Sequence, residues 1–584
     1  MLAVAWLVIP IVGMLLSSNN NNKSGRMNRC RLIWHRRDLR LHDNELYSNL
    51  DRCVSLFVFD PQYFKPTKSC IDGDFETVWC GPHAAQALIE AVTSLRESIR
   101  SIGGELLVRS GDPSVLIPKI AQEMDATEIV FGEEPGTYER EVVQRLQQHY
   151  LFDPTASNIK LMSKVGYTLY HPDDLPTEPN EWDRLAHPKM KQGKKKKQKQ
   201  HTSSSLFGEK NDFDLVDVSP ERFKGINRIM GDFRKAAKRA TMVRNILDPP
   251  QSLLLPEGFD ASQLKDGAGS IPTLEQLTRP LQSSKILGVD QDKILSVVQS
   301  AIRNRDNNLN EVRSEANALR RLDMFVHHYA SSADRSRADV SNNDSSRFSV
   351  HLALGTLSPR TVYWRSQAYD EEGCNWIASH LEMRDFFLYT AFANGSRMYF
   401  QRGLPVSKKK QKEPIQWNSP KDDVERWTRW ATGVTQLPLI DAAMKELLTT
   451  GYISNRVRQN AASVLTKDLN LDWRVGAEWF QFLLEDHCVG ANFGNWLYFS
   501  GVGPDPKNRH FRTVSQAKRY DEHGEYVKRW IPSLREVPHM EHALRPWDFG
   551  VAGFEAPVVA PKTQYTWQDT QLLESKGTLF LEDS

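Results

Sequence analysis

The 584-residue chain has no excess of either charge: 75 Lys and Arg stand against 73 Asp and Glu, a formal net charge of +2. That balance excludes a wholly basic nucleic-acid module but leaves room for a local basic patch. Cysteine is scarce. The six present (Cys30, Cys53, Cys70, Cys80, Cys374 and Cys488) share no repeated short spacing. Neither a disulfide framework nor a zinc knuckle is indicated, no metal site is expected, and a reducing compartment fits best. No G-x-G-x-x-G follows a strand-like run, which disfavours a dinucleotide held in the usual Rossmann manner. The apolar run MLAVAWLVIPIVGMLL at residues 1–16 falls short of the roughly 18 residues of a membrane-crossing helix, so stable membrane insertion of the mature protein is not expected.

Apolar and aromatic residues, by contrast, are plentiful. With 40% hydrophobic and 10% aromatic residues the chain can bury large cores, and its length suggests roughly two to four domains. Residues 1–27 form an apolar leader with a polar spacer, either a targeting segment or the product of a start codon upstream of Met27. A real leader would point to a plastid or mitochondrion; otherwise the cytosol or nucleus is expected. Over 28–165 short β-rich runs alternate with helical stretches: RLIW, VSLFVF (54–59), a helix through 84–99, ELLVRSG (105–111), a helix near Pro113–Met124, EIVFG (128–132) and a helix through Glu139–His149. This is the rhythm of a doubly wound parallel sheet, an α/β domain. The Gly and Asp ending LLVRSGD predict a ligand-facing loop at the carboxyl edge of that sheet.

Residues 166–273 read as a linker carrying a Lys-rich insertion, HPKMKQGKKKKQKQHTSSS (187–205). That run could attract phosphates or serve nuclear import, but a solvated loop is the favoured reading. From 274 to 535 apolar residues recur at three and four spacing, predicting an all-α domain. Nine of the fifteen tryptophans lie between Trp364 and Trp530. Packing alone seldom needs so many indoles, since each buried N–H wants a partner; an aromatic-lined pocket or an electron path would use them. The tail, 536–584, is expected to dock loosely.

Three clusters carry chemistry. In DSSRFSVHLALGTLSPRTVYW (344–364) small hydroxyl residues and one arginine precede a helix, where a phosphate could dock or a structural helix could be capped. In EMRDFFLYTAFANG (382–395) Arg384 and Asp385 sit among apolar residues, and a buried ion pair is the better reading. In the stretch 450–506, Asn455, Arg456, Arg458, Gln459 and Asn460 put amides and guanidinium groups within two helical turns, while Gly490 and Gly494 would let backbone approach a planar ligand. Together the three suggest a cofactor-binding helical domain.

The chain resembles the photolyase and cryptochrome family, in its DASH branch, from Met27 to about Pro538. The resemblance is carried by WHRRDLRLHDN (34–44), FVFDPQYF (57–64), CGPHAAQALIEAV (80–92), ALGTLSPR (353–360), TGYISNRVRQNAAS (450–463), NFGNW (492–496), GVGPDP (501–506) and QAKRYDEHGEYVKRW (516–530). It implies an amino-terminal α/β domain suited to an antenna pigment, a folate (methenyltetrahydrofolate) or a deazaflavin, and a helical domain that binds FAD. By resemblance the phosphate-binding stretch falls on Ser345, Ser346, Arg347, Phe348 and Ser349. Arg384 falls near the flavin, Arg458 and Asp486 form the charge pair beneath it, and Asn492 faces its N5. Cys488 stands where the family has a second carboxylate, and Asp344 where it has a tyrosine. A chain of three tryptophans falls on Trp417, Trp473 and Trp496.

The implied activity is light-driven splitting of cyclobutane pyrimidine dimers in DNA, preferably single-stranded, with RNA as a further partner and a monomeric state. Asn455, Arg456 and Gln459 would face the nucleic acid. The family's lesion-contacting glutamate aligns with His380, and its stacking tryptophan with Met383. An Asn at 492 is photolyase-like, because a carboxamide does not readily hand over a proton as a carboxylic acid does. A blue-light photoreceptor without repair activity and a nucleic-acid-binding regulator stand as alternatives.

Overall fold

The computed structural model describes residues 30–50, 52–152, 159–188, 223, 226, 229–282, 284–305, 312–331, 346–367, 371–404, 415–504 and 509–559. The apolar leader and almost all of the Lys-rich run lie outside the described residues, as do Asp344 and Ser345.

The amino-terminal unit is built on β1 (Cys30–His35), β2 (Arg52–Phe59), β5 (Leu106–Ser110), β6 (Glu128–Gly132) and β7 (Lys160–Lys164). Two two-residue strands, β3 (Thr67–Lys68) and β4 (Glu76–Thr77), intervene. The five strands form one sheet in the order β5-β2-β1-β6-β7, every pairing parallel. Connections run through α1 (Pro82–Ser101), α2 (Pro113–Glu123) and α3 (Thr137–Phe152). Alternate residues serve opposite faces, as the pleat demands. Ile33, Phe57, Phe59, Val108 and Val130 pack with α1, while Leu32, Trp34, Leu56, Leu107 and Phe131 pack with α2 and α3. The doubly wound sheet is therefore as its periodicity predicts. Strand β7, an edge strand with a half-exposed side-chain pattern, left no clear alternation to read.

In the loop after β5, Asp112 caps α2 by accepting from the Ser114 N–H at 2.8 Å and pairs with Arg145 at 2.9 Å. Pro113 at the first helical position makes the same local choice, since its missing N–H is one the helix start cannot use.

The segment between the two domains carries structure of its own. Helices α4 (Pro179–Ala186) and α5 (Met230–Ala240) pack on each other, Trp182 stacked on Phe233 with centroids 5.6 Å apart. Phe233 in turn meets Phe386 and Tyr389. The helical domain follows: α6 (Leu274–Thr278), a small sheet strip β8 (Lys285–Ile286) and β9 (Val289–Asp290), α7 (Gln291–Arg305), α8 (Glu315–Ser331), α9 (Ser349–Leu354), α10 (Pro359–Gln367), α11 (Glu371–Asn394), α12 (Val424–Thr432), α13 (Pro438–Thr450), α14 (Asn455–Ser463), α15 (Trp473–Leu483), α16 (Val489–Ser500), α17 (Thr513–Tyr520), α18 (Glu525–Trp530) and α19 (Met540–Leu544). Beyond residue 536, Ala543, Leu544 and Val559 are buried in the helical core. The described part of the tail is thus packed, not loosely docked.

The two domains are keyed together by buried polar contacts. The Arg40 guanidinium donates to the carbonyls of His42, Asp43, Gly166 and Gly355, and Arg360 forks onto Asp43 at 2.8 and 3.0 Å. At Gly355, in the left-handed region at φ +76°, a Cβ would lie 2.0 Å from the Arg37 carbonyl oxygen, so no side chain fits. These contacts seat α9 against the loop after β1. No described helix is long and apolar enough to cross a membrane.

Candidate functional site

A cavity of about 590 Å³ lies within the helical domain, walled by α9 and the strip before it, by α11, by the start of α14 and by the turn that leads from α15 into α16. Its size is typical of a site for a small molecule or cofactor. Of the residues singled out in sequence, Ser346, Arg347, Phe348, Ser349, His380, Arg384, Asn455, Arg456, Arg458, Asp486, Cys488, Asn492 and Trp496 line it. Met383, Gln459, Trp417 and Trp473 are not among the lining residues.

Among the described lining residues four guanidinium groups, those of Arg347, Arg384, Arg456 and Arg458, stand against a single carboxylate, that of Asp486. A cavity of this composition attracts anions, phosphate above all. Arg347 holds a left-handed backbone at φ +50°, uncommon outside glycine. Its preceding carbonyl, that of Ser346, accepts from Arg321 Nε at 2.6 Å. The Arg347 guanidinium lies 4.8 Å from the centre of the Tyr452 ring, and Arg458 lies 5.7 Å from the same ring. Tyr452 was not legible as a site residue, because Arg347 is more than a hundred positions away in the chain.

Arg458 donates to the Asp486 carboxylate at 2.8 Å and to the Ile453 carbonyl at 2.8 Å. The neighbouring carboxylate raises the Arg458 pKa against the opposing effect of burial. Asp486 Oδ1 has no partner among the described residues, nor has either ring nitrogen of His487, which also lines the cavity. Burial, with Arg37 nearby, pushes the His487 imidazole down to about 3, so it is neutral. Buried polar atoms without partners are costly, and here they cluster on the wall of one cavity. Such a wall suits a ligand with hydrogen-bonding groups of its own.

Two expectations are overturned. Arg384 and Asp385 are not an ion pair: Arg384 donates to the carbonyls of Tyr167 and Leu352 at 2.5 and 3.0 Å, whereas Asp385 accepts from the N–H groups of Leu169 and Tyr170 at 3.0 and 2.9 Å. Neighbours in sequence on a helix point about 100° apart, so each meets a different partner. Nor do Gly490 and Gly494 open α16 to a ligand. A Cβ on Gly494 would lie 2.4 Å from Phe387, and one on Gly490 3.0 Å from the Leu388 Cα. The glycines let α16 close onto α11.

Asn492 donates through Nδ2 to the Ala477 carbonyl at 2.9 Å. A carboxylate there would set an anion against a carbonyl oxygen, so this environment itself favours the carboxamide. Cys488 is a free thiol at the start of α16, and its carbonyl accepts from Asn492 N–H. Trp496 is buried in the cavity wall, its ring 5.1 Å from Phe480 and 6.3 Å from Trp430 between centroids. Trp473 donates to the Gln401 carbonyl and packs on Phe493, and Trp417 donates to Thr466. Gln459 accepts from Arg456 at 3.0 Å, and Arg456 also lies over Tyr520. Among the described residues no group of His, Cys, Asp or Glu is placed to hold a metal ion.

Two family models match the chain: DNA photolyase over residues 31–205 and the FAD binding domain of DNA photolyase over 376–569. With the parallel sheet and the cationic cavity they define a photolyase-type flavoprotein. Cryptochrome DASH of Danio rerio is 32% identical over 518 residues, 86% of this chain and 83% of that protein. Cryptochrome DASH, chloroplastic/mitochondrial, of Oryza sativa is 30% identical over 540 residues, 87% of this chain and 77% of that protein. The crystal structure of a Synechocystis cryptochrome superposes with a TM-score of 0.65 at 26% identity, covering 95% of this chain and 100% of that one. The chain belongs to the cryptochrome DASH family, within the photolyases and cryptochromes.

The cavity fits the FAD that such a domain binds. Its excess of guanidinium groups answers a diphosphate, and the unpartnered atoms of Asp486 and His487 answer the polar edges of the rest. Among the described residues Asp486 is the cavity's single acidic lining group.

Proposed function

We propose that this protein uses blue light to split cyclobutane pyrimidine dimers in single-stranded DNA. The observation that supports this most is the pairing, in one cavity, of a cationic lining with a buried tryptophan, Trp496, in its wall. FAD supplies light absorption and the transferred electron. Arg347, with the hydroxyls of Ser346 and Ser349, would hold the phosphates, Arg384 would lie near the flavin, and the Arg458–Asp486 pair would set the charge beneath the ring system. Asn492 supports an electron-donating role, since its carboxamide does not protonate what it touches. Trp496, buried in the cavity wall, would replace electrons there, and Trp473 and Trp417 would relay the deficit outward. Asn455 and Arg456 line the same cavity and would engage the DNA, with Gln459 held against Arg456. In the amino-terminal domain the rings of Tyr63, Trp79 and Tyr138 lie within 5.9 Å of one another between centroids, and with Glu139 they are the candidate seat of a folate antenna.

A second reading is favoured by one observation: Met383 is not among the residues lining the cavity, and it stands where the resemblance puts a base-stacking tryptophan. In that reading the protein absorbs light without repairing DNA. The deciding experiment is a light-versus-dark assay on a single-stranded oligonucleotide carrying one thymine dimer, with protein shown by absorbance to hold FAD. Light-dependent recovery of intact thymines is the expected result. Continued photoreduction of the flavin without recovery would establish the second reading.

A further inference from the structure

Four indoles form a continuous run inward from the cavity wall. Trp427 and Trp430 lie three residues apart on α12, the spacing that brings helix side chains onto one face, and their rings stack with centroids 5.7 Å apart and planes 25° apart. Trp430 meets Trp496 of the cavity wall edge-on at 6.3 Å, and Trp427 meets Trp479 on α15 edge-on at 5.9 Å. Every step is a direct aromatic contact. The run leads away from solvent: Trp427 is 1% exposed, and Trp430 and Trp479 are fully buried.

The inner N–H groups all have partners. Trp430 donates to the Ala461 carbonyl at 3.1 Å, Trp427 to the Leu287 carbonyl at 2.9 Å and Trp479 to the Ala431 carbonyl at 3.1 Å. A carbonyl oxygen accepts a hydrogen bond but is no base for the proton itself. An inner indole that loses an electron therefore keeps its N–H proton and carries a positive charge. Two effects oppose each other there. Burial disfavours the charge, whereas the carbonyl oxygens and the faces of neighbouring rings favour it, Phe480 stacked on Trp430 at 6.1 Å among them.

We propose that Trp430, Trp427 and Trp479 form a closed side branch of the electron path, which takes up the positive charge left on Trp496 and returns it. The assignment rests on Trp496 as electron donor, as read above, and goes beyond the outward relay through Trp473 and Trp417. In balance, Trp496 gives one electron to the photoexcited flavin, Trp430 gives one to oxidised Trp496, and Trp427 gives one to oxidised Trp430. No bond forms or breaks and no proton moves. Because no ring of the branch reaches solvent, the charge leaves it only by the same steps reversed. The branch delays recombination without delivering electrons of its own.

The test is transient absorption after a blue flash, with FAD-loaded protein in a Trp473→Phe background that cuts the outward relay at its first step. The indole cation signal is expected to outlive that of the Trp473→Phe, Trp430→Phe double variant by roughly tenfold, the delay of a return step about 1.4 kcal/mol uphill. Trp427→Phe in the same background leaves the ring beside Trp496 in place and should shorten the signal by less. FAD absorbance after gel filtration shows that each variant keeps its cavity. An unchanged lifetime in either double variant, with FAD retained, overturns the branch and leaves the donor role of Trp496 standing. Absence of any indole cation in the wild-type chain, with FAD bound, overturns the donor reading and the branch with it.

Discussion

Arg458 and Asp486 meet at 2.8 Å on the cavity wall, the carboxylate side chain only 2% exposed. The two residues are 28 positions apart, one on α14 and the other in the turn after α15. Removing one partner of a buried pair leaves an uncompensated charge and costs about 3–5 kcal/mol, whereas replacing both by apolar groups can be nearly neutral. Arg458→Met should therefore lower the thermal unfolding midpoint markedly. Arg458→Met with Asp486→Leu should recover much of that stability while FAD retention, read by absorbance after gel filtration, stays low. Equal stability losses in the single and double variants would contradict this account.

Asp385 carries a pH dependence. Burial raises its pKa from 3.8 to about 7, and the N–H groups of Tyr170 and Leu169 and the charge of Arg384 only partly oppose that. For an acid whose pKa is raised by folding, the native chain binds more protons than the unfolded chain between those two values. Stability is then greatest below about pH 4 and falls as pH rises toward 7, by a few kcal/mol at roughly 1.4 kcal/mol per pKa unit. Asp441, raised by burial to about 6, contributes with the same sign. Asp385→Asn should flatten the stability profile over this range by about one proton, at a cost of about 1 kcal/mol for the second backbone hydrogen bond. Denaturant titrations from pH 4 to pH 8 would measure both.

Gly494→Ala should destabilise the protein by about 1–3 kcal/mol, because the added methyl meets the buried Phe387 ring and forces α16 off α11. Gly73, with nothing within 4 Å of a built Cβ, supplies the control; its alanine variant should stay within about 0.5 kcal/mol of wild type. Urea unfolding curves of the two variants distinguish helix packing from any role in ligand approach.

Trp496→Phe should slow photoreduction of the flavin at least about tenfold with FAD still bound, since phenylalanine fills most of the space but is far harder to oxidise. Trp430→Phe, altering the ring beside Trp496, should have less effect if electrons arrive by way of Trp473. Transient absorption after a blue flash provides the measurement; unchanged kinetics in Trp496→Phe would remove it from the path.

Much of the fold was legible locally. Strands β1, β2, β5 and β6 and the helices after them follow from runs of apolar residues with a period of two or of three to four, a property carried by neighbours in the chain. What escaped was either weakly patterned, as in β7 with its half-exposed KLMSK, or decided by distant partners. Arg384 and Asp385 read as a pair and turn to different segments. Of the cavity, the arginines stood out by residue type within three clusters, and Asp486 and Asn492 through resemblance, but Tyr452, Trp376 and His487 were not singled out.

By itself the sequence determined the two-domain architecture, the family, and the cationic and amide residues of the cavity, because these depend on periodicity and on residue types in order. The tertiary structure alone decided that Gly490 and Gly494 serve helix packing, that Asp385 holds the backbone at 169–170, and that the ring nitrogens of His487 reach the cavity wall with no partner among the described residues. Each of these depends on what lies across a packed interface. Those partners come from chain segments about a hundred or more residues away, and local pattern carries no record of them.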